Sequence, residues 1–94
     1  MNTVRDDRSW YTYVLRSLKD GETYTGSTGD LRKRFKQHAE GETRSTKGRR
    51  PLELIYYEMC KNEIDARTRE IFLKTGMGKR YLKSRLKRFL SLTV

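Results

Sequence analysis

Two short aromatic and β-branched runs on either side of an Asp20-Gly21 dipeptide constrain this chain more than anything else in it. Trp10-Tyr11-Thr12-Tyr13-Val14-Leu15 reads as a strand, and Thr23-Tyr24-Thr25-Gly26 as the strand returning beside it. Asp-Gly between two such runs is a strong signal for a tight β-hairpin. A two-residue turn at Asp20-Gly21 sets Ser17 opposite Tyr24, Leu15 opposite Gly26 and Tyr13 opposite Thr28. Directly opposed residues share a sheet face and side chains alternate, so Tyr13 and Tyr24 point to the same side. Gly26 leaves a gap between them. A slip of one residue would separate the two tyrosines onto opposite faces.

After the hairpin the period changes. Ser27-Thr28-Gly29-Asp30 offers cap residues, with Thr28 the expected N-cap and Asp30 near the positive end of the helix dipole. Leu31, Phe35, His38 and Ala39 then form an apolar stripe at helical spacing, with Arg34 and His38 as neighbours at its edge. Gly41 to Arg50 reads as a polar loop carrying Arg44, Lys47, Arg49 and Arg50. Leu52 to Glu58 is a third strand, followed by a helix over about 63–74 capped by Asn62 or Asp65. On that helix Ala66, Glu70 and Leu73 share one face. Gly76-Met77-Gly78 is expected to break it before a last helix from about Lys79 to Leu90, whose Leu82, Leu86, Phe89 and Leu90 face the core. Residues 1–9 read as a loose tail, and 10–94 as one α+β domain.

The net charge is +10 over 94 residues. Such an excess favours a polyanionic partner, because each neutralised phosphate releases a counterion. No acidic residue follows Glu70, so the terminal helix has nothing to compensate its basic face. Cys60 is the sole cysteine, which excludes an intramolecular disulfide and any cysteine-based zinc site. No signal peptide and no apolar run of membrane-spanning length is recognisable. An intracellular, reducing compartment is expected.

Three groups of residues could carry chemistry, and each has a plainer reading. Arg34 and His38 could clamp a phosphate, or be a surface arginine and a core-edge histidine. Glu70 could hold a divalent metal, since Mg²⁺ needs few protein carboxylates and keeps several waters. It could equally pair within its helix to Arg67, Arg69 or Lys74, an interaction worth only ~0.3–0.5 kcal/mol. Tyr13 and Tyr24 could donate hydrogen bonds to phosphate or act as a general base, or simply pack. A free phenol has a pKa of ~10, so base chemistry needs a nearby cation.

In sequence order these residues resemble the GIY-YIG nuclease family over roughly residues 10–90. Tyr11-Thr12-Tyr13 is similar to the first signature, and Tyr24-Thr25-Gly26 to the second. Gly26 to His38 resembles the stretch bearing the family's arginine and histidine, and Ala66 to Glu70 its glutamate helix. Tyr11, Thr12 and Thr25 stand where the name-giving Gly, Ile and second Ile would be. Arg49-Arg50-Pro51 before the third strand is similar to the small bacterial members related to the excision-repair nuclease domain.

The resemblance implies a small three-stranded antiparallel sheet flanked by helices, and one-metal hydrolysis of DNA with Mg²⁺ or Mn²⁺. It makes Glu70 the metal ligand and Arg34 the phosphate holder. Tyr13 and Tyr24 would line the same site, one of them as base, with His38 assisting. Candidate nucleic-acid contacts are Gly26, Arg32, Lys36, Arg44, Lys47, Arg49, Arg50, Lys79, Arg80 and Lys83. The expected setting is cytoplasmic and nucleoid-associated, with a role in repair or recombination. A non-catalytic nucleic-acid-binding module, or an enzyme acting on structured RNA, are the competing readings.

Overall fold

The computed structural model describes residues 8–92, so residues 1–7 of the expected tail lie outside it. Its elements are β1 (Trp10–Ser17), β2 (Thr23–Thr28), α1 (Leu31–Ala39), α2 (Arg44–Lys47), β3 (Leu52–Cys60), α3 (Glu63–Leu73), α4 (Gly76–Arg85) and α5 (Lys87–Leu92). The three strands form one antiparallel sheet in the order β2-β1-β3. The α+β class and the three-stranded sheet flanked by helices are as the sequence implied.

The hairpin differs in register. Tyr13 pairs with Gly26, Leu15 with Tyr24 and Tyr11 with Thr28. The connection is therefore a four-residue loop, Leu18 to Gly21, closed by Ser17 N–H to the Glu22 carbonyl. Two further contacts favour the longer loop. Ser17 Oγ accepts from the N–H of both Lys19 and Asp20, and Leu18 N–H donates to the Pro51 carbonyl. Gly21 ends the loop at φ +78°, a conformation that costs glycine little. The shift amounts to two residues, so side-chain parity survives, and Tyr13 and Tyr24 still share a face.

Two thin cores sandwich the sheet, and β1 at its centre is buried from Thr12 to Leu15. On one face Val14 packs with Leu73 and Leu82, supported by Ile55, Tyr56, Phe72 and Leu86. The other face carries Tyr13 and Leu15, with the fully buried His38 of α1 beside Tyr13. The caps differ in detail from expectation. Asp30, rather than Thr28, caps α1 by accepting from Lys33 N–H, because Thr28 is still the last residue of β2. Asn62 caps α3 through the N–H groups of Ile64 and Asp65.

Gly76 and Gly78 do not separate helices as expected; they lie in the first turn of α4, capped by Thr75. A Cβ on Gly78 would collide with the backbone of Phe72 and Leu73, so the glycine lets α4 start against the end of α3. The break after α3 falls at Lys74-Thr75, just ahead of the glycines, and the expected last helix is interrupted again at Leu86, between α4 and α5. The basic loop also contains a helical turn, α2, which the polar composition concealed.

Candidate functional site

Gly26 lies directly across from Tyr13, and the tyrosine ring covers it. A Cβ at position 26 would sit 2.5 Å from Tyr13 Oη and 2.7 Å from Cζ. Glycine is thus what allows Tyr13 to lie flat over β2 toward Tyr24. The three rings of Tyr13, Tyr24 and His38 form a triangle, with centroids 6.4 Å apart for the tyrosines, 5.7 Å for Tyr13–His38 and 5.1 Å for Tyr24–His38.

His38 reaches this cluster because it faces the sheet one helical turn beyond Arg34. Its Nε2 is 2.9 Å from Tyr13 Oη, and its Nδ1 is 2.7 Å from Thr46 Oγ1. All three residues are essentially buried. Either neutral tautomer satisfies both contacts, since each hydroxyl can donate or accept; in one of them Tyr13 donates to Nε2 and Nδ1–H donates to Thr46. Burial first, and then the nearby Arg34 charge, push the His38 pKa down to about 4. Burial pushes the Tyr13 phenol up to about 12, against the opposing pull of Arg34. Tyr13, first, and Tyr24 hold the Arg34 guanidinium more firmly charged than usual. Arg34 Nη1 also donates to Gln37 Oε1 at 3.0 Å, which steers the guanidinium along α1.

Glu70 lies on α3, on the other side of the sheet, where it is held against β2. Ser27 alternates away from Gly26, and its hydroxyl donates to Glu70 Oε1 at 2.7 Å. Lys74, one turn on, donates to Oε2 at 2.8 Å. The Glu70 charge is felt at Tyr13, where it opposes phenolate. Among the described residues no three of His, Cys, Asp and Glu come together as a metal cluster. The donor set suits a hard cation that takes one carboxylate and completes its shell with water and phosphate. One Glu70 oxygen is fixed by Ser27. The other is held only by a half-exposed lysine, which can swing away.

The basic residues divide. Arg32 and Lys36 are exposed on α1, and Arg44 and Lys47 on α2. Lys79 lines a small groove with Tyr24 and Lys74, and Lys83 another beside the hairpin loop. Arg80 is exposed on α4. Arg49 and Arg50 are partly committed to the loop. The Arg49 carbonyl accepts from Ser17 Oγ, and Arg50 Nε donates to the Lys47 carbonyl. Sequence reasoning missed Thr46 and Ser27. Thr46 sits in a polar stretch with no pattern, whereas Ser27 was accessible from strand alternation next to Gly26.

Comparison with known proteins gives consistent relatives. The sequence model described as the GIY-YIG catalytic domain matches residues 9–89. A UPF0213 protein of Clostridium perfringens is 42% identical over 65 residues, covering 68% of this chain and 69% of that one. A UPF0213 protein of Staphylococcus saprophyticus is 39% identical over 74 residues, covering 78% and 89%. The solution structure of a UPF0213 protein from Bacillus halodurans is similar with a TM-score of 0.50 and 34% identity, covering 81% of this chain and 83% of that one.

Proposed function

The chain belongs to the GIY-YIG catalytic domain family, a nuclease family, and on that footing we propose that it is a metal-dependent endonuclease hydrolysing DNA, serving repair or recombination. The observation that carries the reading is the buried hydrogen-bonded line Tyr13–His38–Thr46, set beside Tyr24 and Arg34. A phenol with a buried imidazole behind it has somewhere to send a proton; an aromatic packing residue needs none.

In this reading Arg34 binds the scissile phosphate through its fork of N–H donors, and the half-buried Tyr24 donates to a phosphate oxygen. The attacking water gives a proton to Tyr13 Oη as Tyr13 passes its own to His38 Nε2. The water oxygen bonds to phosphorus, and the leaving oxygen departs with the P–O bonding pair and takes a proton from solvent. The raised Tyr13 and lowered His38 values both oppose this transfer at rest. Charge developing on the phosphate, met by Arg34, must drive it. Glu70 would hold Mg²⁺ or Mn²⁺, which when bound stabilises that charge as a Lewis acid. Arg32, Lys36, Lys79 and Lys83 would position the backbone without reading sequence.

The test is cleavage of plasmid and branched oligonucleotide DNA with Mg²⁺ or Mn²⁺ by wild type, Glu70→Ala and Arg34→Ala. Cleavage by wild type and its loss in both variants supports the assignment. Undiminished cleavage in both variants overturns the site. Salt-sensitive binding of DNA without cleavage would establish a binding module instead, and selective cleavage of structured RNA would move the substrate class.

A further inference from the structure

We infer that a groove beside the tyrosine cluster, between the start of α1 and the β1–β3 ladder, binds an unpaired nucleobase of the substrate strand. The inference rests on the phosphodiester-cleaving reading above, and it narrows the substrate to DNA in which a duplex meets a single strand.

The groove holds about 510 Å³, within the roughly 300–1,000 Å³ of small-ligand clefts. Tyr11 and Tyr57 meet edge to face in it, at 6.0 Å between ring centroids and 64° between planes. Phe35 and Leu54 add apolar wall, and Arg32 lines the same groove. Tyr57 keeps 53% of its surface exposed although it shares the sheet face that buries Tyr13. Asp30, the acidic residue of the lining, is engaged as the α1 cap. Arg32 is exposed and pairs with no acid among the described residues, so its guanidinium is available to a phosphate at the groove mouth, while Asp30 is turned to the α1 N-terminus.

Position links the groove to the cluster. Tyr57 is the β3 partner of Tyr13, just as Gly26 is its β2 partner. A strand whose phosphate lay at Arg34 would therefore pass a neighbouring base toward the exposed tyrosine. Bases within a duplex are stacked on one another and cannot offer a face, whereas an unpaired base can. Ring faces supply no base-specific hydrogen bonds, so this subsite selects structure and tolerates any sequence. An apolar peptide would use the same rings, but the +10 charge and Arg32 favour the anionic strand.

The experiment compares binding of the full chain, in EDTA, to a blunt DNA duplex and to the same duplex carrying a single-stranded arm with 2-aminopurine near the junction. The armed duplex is expected to bind more tightly and its 2-aminopurine fluorescence to be quenched. Tyr57→Ala should weaken armed-duplex binding by roughly 5- to 150-fold, the worth of one base–aromatic stack. It should restore the fluorescence and leave blunt-duplex binding unchanged. Tyr57→Phe should behave as wild type. Arg32→Gln is a second variant, expected to weaken the armed duplex more than the blunt one. Equal effects of Tyr57→Ala on both duplexes, or unquenched 2-aminopurine with wild type, overturn the inference. Because no metal is present, failure of the nuclease reading would appear separately, as absent cleavage with this binding pattern intact.

Discussion

His38 is the chain's sole histidine, so its titration can be followed without assignment ambiguity. It is fully buried and lies near the Arg34 charge, and its pKa is held at about 4 against an ordinary 6.5. The folded value is the lower one, which fixes the sign. Above pH 6.5 the ring is neutral in both folded and unfolded chains, and its contribution to stability is fully present. Between pH 6.5 and 4 the unfolded chain takes up a proton that the folded chain refuses, so stability falls as the pH falls. The slope approaches ~1.4 kcal/mol per pH unit, or about 3 kcal/mol across the window. That is a large share of the roughly 5–15 kcal/mol of a typical domain. The assay is a proton–carbon NMR titration of the ring, with urea denaturation at pH 7 and pH 5. His38→Gln, which can still accept from Tyr13 but does not titrate, should lose ~2 kcal/mol less than wild type over that interval. A ring titrating at pH 6 or above, or the same pH slope in the variant, would refute the buried neutral imidazole.

Two other substitutions probe the same assembly. Thr46→Val removes the hydroxyl facing Nδ1 and leaves that buried ring nitrogen unpaired, at a cost of ~1–3 kcal/mol. Thr46→Ser should recover most of that loss in urea denaturation, and equal losses for both would deny the hydrogen bond a role. Gly26→Ala places a methyl 2.5 Å from Tyr13 Oη, and the buried ring cannot give way freely. About 1–3 kcal/mol of destabilisation and a shifted Tyr13 environment in ultraviolet difference spectra are expected. A variant as stable as wild type would mean that the ring does not lie over β2.

Much of this site could be read before the fold was known, because its logic is periodic. Alternation put Tyr13 and Tyr24 on one face, and helical spacing put Arg34 and His38 on one helix edge. The observed register differs from the two-residue turn by two positions because loop length depends on the Ser17 side-chain turn and on the long-range contact of Leu18 with Pro51, neither of which the Asp-Gly pattern announces. Parity, being insensitive to an even shift, survived. Gly78 misled for a related reason. A glycine that permits close helix contact looks, in sequence, the same as one that ends a helix. Thr46 was invisible because its value comes from a contact eight residues away, made only when α2 folds against His38. The Tyr11–Tyr57 groove needed β3 laid beside β1, a long-range pairing.

The most direct measurement for the account as a whole separates binding from turnover at Glu70. Glu70→Gln keeps the size of the side chain and its contact with Ser27 but removes the charge that would hold a metal. Single-turnover cleavage of a branched DNA with Mn²⁺ should fall by at least about 100-fold, the scale of losing one group that stabilises transition-state charge. Affinity measured in EDTA should stay within about two-fold of wild type. Cleavage at the wild-type rate by Glu70→Gln, from protein purified free of other nucleases, would contradict a metal-dependent site at this carboxylate.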